Sequence, residues 1–284
     1  MKEITRYHND LNLLITRKWT AEEMDIFFAL VTKAQGKGTK EITLKKNELE
    51  GMIRYSQKSN KRLEKTLEEL ANHLLDLRYI ERNECGFALM VLFQSFKAVW
   101  NKQRTDCEIS VRVSDSFEYV LNKLNANFTS FEFAEFATLR RTYSKTLYRL
   151  LKQYRTTGER YFTVQDFREL MGIPAGYKSN NITQKVLDPA LTELSGSFPD
   201  LTCTTIKAKT KGNPITGYRF TWKPEETQKW LDPEQYKEKK RREQAKKRAS
   251  KPKLPDWYDE IPEEKATAEE LAEALRLTRE LKAR

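Results

Sequence analysis

Apolar residues recur at helical spacing from Tyr143 onward. Tyr143, Leu147, Leu150, Leu151 and Tyr154 fall at steps of three and four and form one stripe, with Lys145, Arg149, Lys152 and Arg155 opposite. The spacing predicts an amphipathic helix that closes at Gly158, its basic side a solvated face. A short extended piece, Tyr161 to Thr163, then leads into a short helix. Phe167, Leu170 and Met171 make its apolar side, and Gly172 with Pro174 ends it. After the polar turn AGYKSN, a second helix is expected to start at Asn180 or Asn181, both good capping types. Ile182, Val186, Leu187, Ala190 and Leu194 form its apolar arc, and Pro189 within the pattern predicts a kink. The runs LTCTTIKAK and ITGYRFTW read as strands of a hairpin around the turn TKGNP. Two short helices joined by a glycine-containing turn, then a hairpin, are the plan of a winged helix.

The same order occurs about 120 residues earlier. TAEEMDIFFALVTKAQ reads as a helix with Thr20 at its cap and Glu23 three residues on. EITLKK is a strand, KNELEGMI a short helix, and SNKRLEKTLEELANHLLDL a longer one with Leu63, Leu67, Leu70 and Leu74 on one face. YIERN, FALMVLFQSFKAVW and CEISVRVS follow as strands. The expected fold is therefore α+β: a first winged helix over residues 1–125, a second over 126–224, and a tail over 225–284. Within that tail KEKKRREQAKKRASKPK carries ten basic and two acidic residues without apolar periodicity, which predicts a disordered or marginally helical arm. The final stretch TAEELAEALRLTRELKAR opens with a capping box, Thr267 and Glu270, and predicts an amphipathic helix able to dock on a partner.

Charge narrows the partner. A net +11 at pH 7 favours a polyanion, either nucleic acid or an anionic membrane surface. The longest apolar run, FALMVLF, is far short of the roughly 20 residues that span a bilayer. MKEITRYHND lacks the apolar core of a signal peptide, so a cytoplasmic location is expected. Cys85, Cys107 and Cys203 are isolated, which predicts reduced, packed thiols and neither a zinc site nor a disulfide. With His8 and His73 the only histidines, an HxH metal motif is impossible; GKGT lacks phosphate-loop spacing, and no cofactor is expected. His73, on a predicted helix face, reads as structural.

The helix from Ser59 has Lys58, Lys61, Arg62 and Lys65 near its start and Glu68 and Glu69 further on. Basic residues at the front suit a helix that enters a major groove N-terminus first. The alternative is a solvated face with helix-internal pairs such as Arg62 with Glu69. In the second unit Lys178 precedes an exposed set of Asn181, Gln184, Lys185, Asp188 and Thr192. Asn and Gln pair with adenine and Lys reaches guanine, while Asp188 either accepts from cytosine or caps the turn before Pro189. Lys207, Lys209 and Lys211 alternate along the strand leading to the wing, suited to phosphates. Each of these residues taken alone reads equally as a solubility residue.

Several stretches, in order along the chain, resemble the Rep_3 family of plasmid replication initiators. They are NDLN at 9–12, EMDIFFAL at 23–30, LYRLLKQYRTTG at 147–158, DFRELMGIP at 166–174, VLDPALTEL at 186–194 and ITGYRFTW at 215–222. The resemblance implies two winged helices whose reading helices map onto residues 58–76 and 180–196. It implies monomers binding iteron repeats in double-stranded DNA at a plasmid origin, local opening of the duplex, and recruitment of the host initiator and replicative helicase. It also implies homodimers, joined through the first domain, that bind an inverted repeat and repress their own gene. Nuclease and ATPase chemistry are not implied. A winged-helix repressor without a replication role and a tyrosine-dependent nicking enzyme are the competing readings.

Overall fold

The computed structural model describes residues 3–14, 18–53, 59–122, 127–210 and 212–226. The chain opens with β1 (Ile4–His8) and a 3-10 turn (Asn9–Leu13), then enters α1 (Ala21–Ala34). Thr20 starts α1 with the capping box its sequence predicts. Its hydroxyl accepts the Glu23 N–H at 3.2 Å, and the Glu23 carboxylate accepts the Thr20 N–H at 2.6 Å. Most residues of α1 from Glu23 through Ala34 are buried, Asp25, Thr32 and Lys33 only in part, which makes it the central rod of the first module.

Next come β2 (Ile42–Lys45), α2 (Lys46–Met52) and α3 (Asn60–Asp76). The leucines at 63, 67, 70 and 74 of α3 are all buried, as their spacing requires. The long apolar run after α3 is not one strand. β4 (Gly86–Val91) closes a hairpin with β3 (Arg78–Asn83), and β5 (Phe93–Trp100) turns away after Leu92 to pair with β6 (Cys107–Val113). Burial of Leu92 between the two strands supplies the break. The resulting antiparallel sheet has the order β2-β6-β5, and β6 alternates so that Cys107, Ile109, Val111 and Val113 face the helices. Helix, strand, helix, helix, then paired strands is the winged-helix plan, with the β3–β4 hairpin inserted and residues 101–106 as the wing.

A 3-10 turn (Asp115–Phe117) and α4 (Glu118–Asn122) follow, and β7 (Phe128–Glu132) then pairs antiparallel with β1, from Ile4 opposite Glu132 to His8 opposite Phe128. α5 (Phe133–Thr138) and α6 (Thr142–Lys152) complete this stretch. Here the structure corrects the expected solvated face. Lys145, Arg149 and Lys152 of α6 are 0%, 1% and 5% exposed. Periodicity detects the apolar stripe but not what covers the opposite side, and α1, α5 and β1 cover it. Lys145 Nζ lies 2.6 Å from Asp25 and 2.9 Å from the Phe136 carbonyl. Lys152 Nζ lies 3.3 Å from Glu135, and Arg149 sits over the Phe28 ring at 5.0 Å, beside the Tyr7 phenol.

The second module begins at Gly158, whose φ is +71° and whose absent Cβ would stand 2.6 Å from the Trp222 carbonyl. β8 (Glu159–Thr163), α7 (Val164–Leu170) and α8 (Ser179–Ile182) lead through a π turn (Thr183–Leu187) into α9 (Asp188–Leu194). The disturbance expected at Pro189 takes the form of this π turn: the Asp188 N–H reaches back five residues to the Thr183 carbonyl. β9 (Thr202–Lys207) and β10 (Ile215–Thr221) form the hairpin, in an antiparallel sheet of order β8-β10-β9. Phe162, Phe167, Tyr218 and Phe220 stack beneath it, Phe167 and Tyr218 at 4.8 Å. Two winged helices in tandem are thus the fold. The basic arm and final helix expected in the tail lie outside the described residues.

Of the cysteines, Cys107 is buried and Cys203 half-buried; Cys85, expected to be packed, is exposed in the β3–β4 turn.

Candidate nucleic-acid interface

In the first module Ser59 caps α3 through its carbonyl, which accepts the Arg62 and Leu63 N–H groups at 3.1 and 3.2 Å. Lys61, Arg62 and Lys65 are exposed over the first two turns, on the side away from the buried leucines. Lys58 lies outside the described residues. The Arg62–Glu69 pair offered by the solvated-face alternative is replaced by two others. Arg62 Nη2 meets Glu22 of α1 at 3.3 Å, and Lys65 Nζ meets Glu69 at 3.4 Å. Both are exposed contacts, weak enough to yield to a phosphate.

The wing of this module, residues 101–106, is tied to the front of α3. Arg104 donates to Glu64, and the Asn60 amide donates to the Arg104 carbonyl at 2.9 Å. Lys46 holds the Thr105 carbonyl at 3.0 Å, and Asn101 Oδ1 accepts the Thr105 N–H at 2.8 Å. The wing that carries Lys102 and Arg104 is thereby held at the N-terminal end of α3. The sequence reading passed over them, although NKQRTD between two strands, with an Asn and two basic residues, is a wing-like signal.

In the second module α8 starts at Ser179, one residue before the earlier of the two expected starts. Lys178 occupies the cap position, and its N–H donates to Asn181 Oδ1 at 3.1 Å. Asn181 is therefore not the cap itself but the residue that satisfies it, and one lone pair of its amide oxygen is spent there. Gln184 and Lys185 are exposed on the π turn, and Asp188 is exposed at the start of α9. Lys185 Nζ rests 5.1 Å above the Tyr177 ring. Arg168 of α7 holds the turn beneath it by donating to the Tyr177 carbonyl and to the Pro174 carbonyl, the latter at 3.4 Å. Asp188 adds its negative charge to burial in pushing the neighbouring Cys203 thiol up to about 12.

Lys207 is the last residue of β9, so the strand alternation expected through Lys209 and Lys211 stops there. Ala208 N–H pairs with the Pro214 carbonyl at 2.8 Å, and Lys209 lies in the turn. Lys207 and Lys209 are exposed; Lys211 lies outside the described residues. Each module thus presents a helix with exposed polar and basic residues followed by a basic wing.

His73 is a packing residue, as its helix position implies: its Nδ1 lies 2.7 Å from the buried Glu23, and its ring stacks on Trp19. Among the described residues no three His, Cys, Asp or Glu side chains group as a metal site. No helix among them is long and apolar enough to cross a membrane.

A family model described as "Initiator Replication protein, WH1" matches residues 4–152, and one described as "Initiator Rep protein, WH2" matches residues 163–222. The chain is 29% identical over 194 residues to a "Probable replication protein rep" of Bifidobacterium longum (strain NCC 2705). That alignment spans 67% of this chain and 64% of the relative. The fold is similar to that of the Pi initiator protein, solved in complex with iteron DNA. The TM-score is 0.61 at 14% identity, over 80% of this chain and 99% of that one. The WH1 model alone matches more than half of the 284 residues, and with the WH2 match behind it the chain belongs to the initiator replication protein family.

Proposed function

We propose that this protein is a plasmid replication initiator that binds iteron repeats in double-stranded DNA at its origin. One observation carries the reading: in a chain of the initiator replication family, both winged helices expose a reading helix and a basic wing. Lys61, Arg62 and Lys65 of α3, with Lys58, face one groove, and Lys178, Asn181, Gln184, Lys185 and Asp188 face the next. Lys207, Lys209 and Lys211 hold phosphates beside the second groove, and Lys102 and Arg104 beside the first. The first winged helix also serves in dimerisation, and the second supplies the main iteron contacts. Monomers on iterons open the neighbouring duplex and recruit the host initiator and replicative helicase in the cytoplasm; homodimers on an inverted repeat repress the gene. The tail from residue 225 takes part in partner choice. No residue is assigned a catalytic role.

The test is a footprint on the DNA flanking the gene, followed by replication of a circle carrying gene and flanking repeats. Protection of several direct repeats spaced by whole helical turns is expected. Protection of a single palindrome, with no replicon sustained, would make the protein a repressor instead.

A further inference from the structure

α6 stands between the two winged helices and touches both. On one flank Tyr148 packs against Phe198 with 5.7 Å between ring centres. Glu193 of α9 meets Arg141 at 3.5 Å and accepts the Arg140 N–H at 3.3 Å. α6 is thereby joined to the reading helix of the second module. On the other flank the fully buried Lys145 holds Asp25 of α1 at 2.6 Å. α1 in turn holds α3, through Glu22 with Arg62 at 3.3 Å and Glu23 with His73 at 2.7 Å. A chain of rigid elements therefore runs from α3 through α1 and α6 to α9, and Asp25 with Lys145 is the charged joint in it whose cation is fully buried.

A buried ion pair is a weak source of net stability, because desolvating both charges offsets most of their attraction. Its geometric demand is strict, since an ammonium slid away from its carboxylate is left buried and unpaired. The ring beside it, Phe136, lies 4.4 Å from the Lys145 ammonium and contributes burial that has no direction of its own. We propose that the Asp25–Lys145 pair determines binding-site spacing: it fixes the separation and phase of α3 and α9, and with them the one distance between two groove contacts that the protein accepts on a duplex. Neither residue touches DNA; both act by positioning the helices that do. The proposal rests on the reading of both winged helices as DNA-binding.

The experiment uses the full chain on two duplexes. One carries its own repeat, and the other carries the same repeat with one or two base pairs inserted between the two footprinted halves. Wild type is expected to lose about tenfold or more on the inserted duplex, the loss of at least one good base contact. The double variant Asp25→Leu with Lys145→Met removes the charges and keeps an apolar joint, and its loss is expected to shrink to less than about threefold. A double variant that discriminates as sharply as wild type, or that weakens on both duplexes by the same factor, overturns the joint. A wild type indifferent to the insertion overturns the two-module reading itself, a failure visible before any variant is made. Should the double variant not fold, Asp25→Asn keeps the shape and removes one charge; unchanged discrimination there also overturns the joint.

Discussion

The ammonium of Lys185 sits 5.1 Å above the ring of Tyr177, so this exposed cation starts from a position that the ring favours. The ring is itself placed by Arg168, which donates to the Tyr177 carbonyl. A cation held in this way gives up less side-chain freedom when it meets a base edge. Lys185→Ala is expected to weaken the specific complex by about 1 to 3 kcal/mol and to relax preference at one base position. Tyr177→Leu, which keeps the lysine and frees it, should cost less, about 0.5 to 1 kcal/mol. An unchanged footprint and affinity for Lys185→Ala would remove that residue from the reading set.

Lys209 is expected to act differently, because it lies in the wing turn and not on a helix. A cation on a phosphate positions the protein and releases a counterion without reading sequence. Lys209→Ala should therefore weaken repeat and random duplex alike, and reduce the slope of log affinity against log salt by about one. Titrations at several salt concentrations measure this. A variant with the wild-type slope takes Lys209 out of the phosphate set.

What could be read in advance was what local chemistry decides. Thr20 and Glu23 are three residues apart, and their capping box formed; Leu63, Leu67, Leu70 and Leu74 all went inward. The exposure of Lys61, Lys65, Gln184 and Lys185 follows from the same periodicity. Most of what the pattern does not show is non-local. Lys145 and Lys152 look solvated until α1 and α5, with Asp25 and Glu135, are brought over them. Arg104 comes to the start of α3 only because Glu64, forty residues earlier, holds it there. Asn181 looked like a free reader because nothing in its spacing shows that Lys178 N–H takes its oxygen.

Gly158 joins the two modules where no side chain fits. Its φ of +71° is strained for other residues, and a Cβ would stand 2.6 Å from the Trp222 carbonyl and 2.7 Å from Pro224. Backbone cannot retreat as a side-chain tip does. Gly158→Ala is expected to destabilise the protein by at least about 2 kcal/mol. Gly176→Ala is the control, since a Cβ there meets nothing within 4 Å; its effect should stay within about 0.5 kcal/mol. Denaturant midpoints compare them, and equal midpoints for the two variants would contradict the packing described.

The Asp25 carboxyl also makes stability depend on pH. Burial pushes its pKa up from 3.8 to about 7, with the nearby Glu22 charge adding to the rise and Lys145 opposing it. Between those values the folded chain binds a proton at Asp25 that the unfolded chain has released. Stability therefore falls as pH rises from about 4 to about 7, and the fall ends as the folded state gives up that proton. Burial lowers the pKa of Lys145 below 10.5, and this acts with the opposite sign: the unfolded chain there holds the proton the folded one has lost, so stability recovers as pH approaches 10.5. Groups facing the pair are Glu22 on α1, Glu193 on α9 and the Phe136 carbonyl of α5. Asp25→Asn cannot titrate and should flatten the decline between pH 4 and pH 7 while leaving contributions from the exposed carboxylates in place. Thermal midpoints of both proteins across that window, in buffers of matched ionic strength, decide it; parallel curves would mean that Asp25 ionises in the fold as readily as in the unfolded chain.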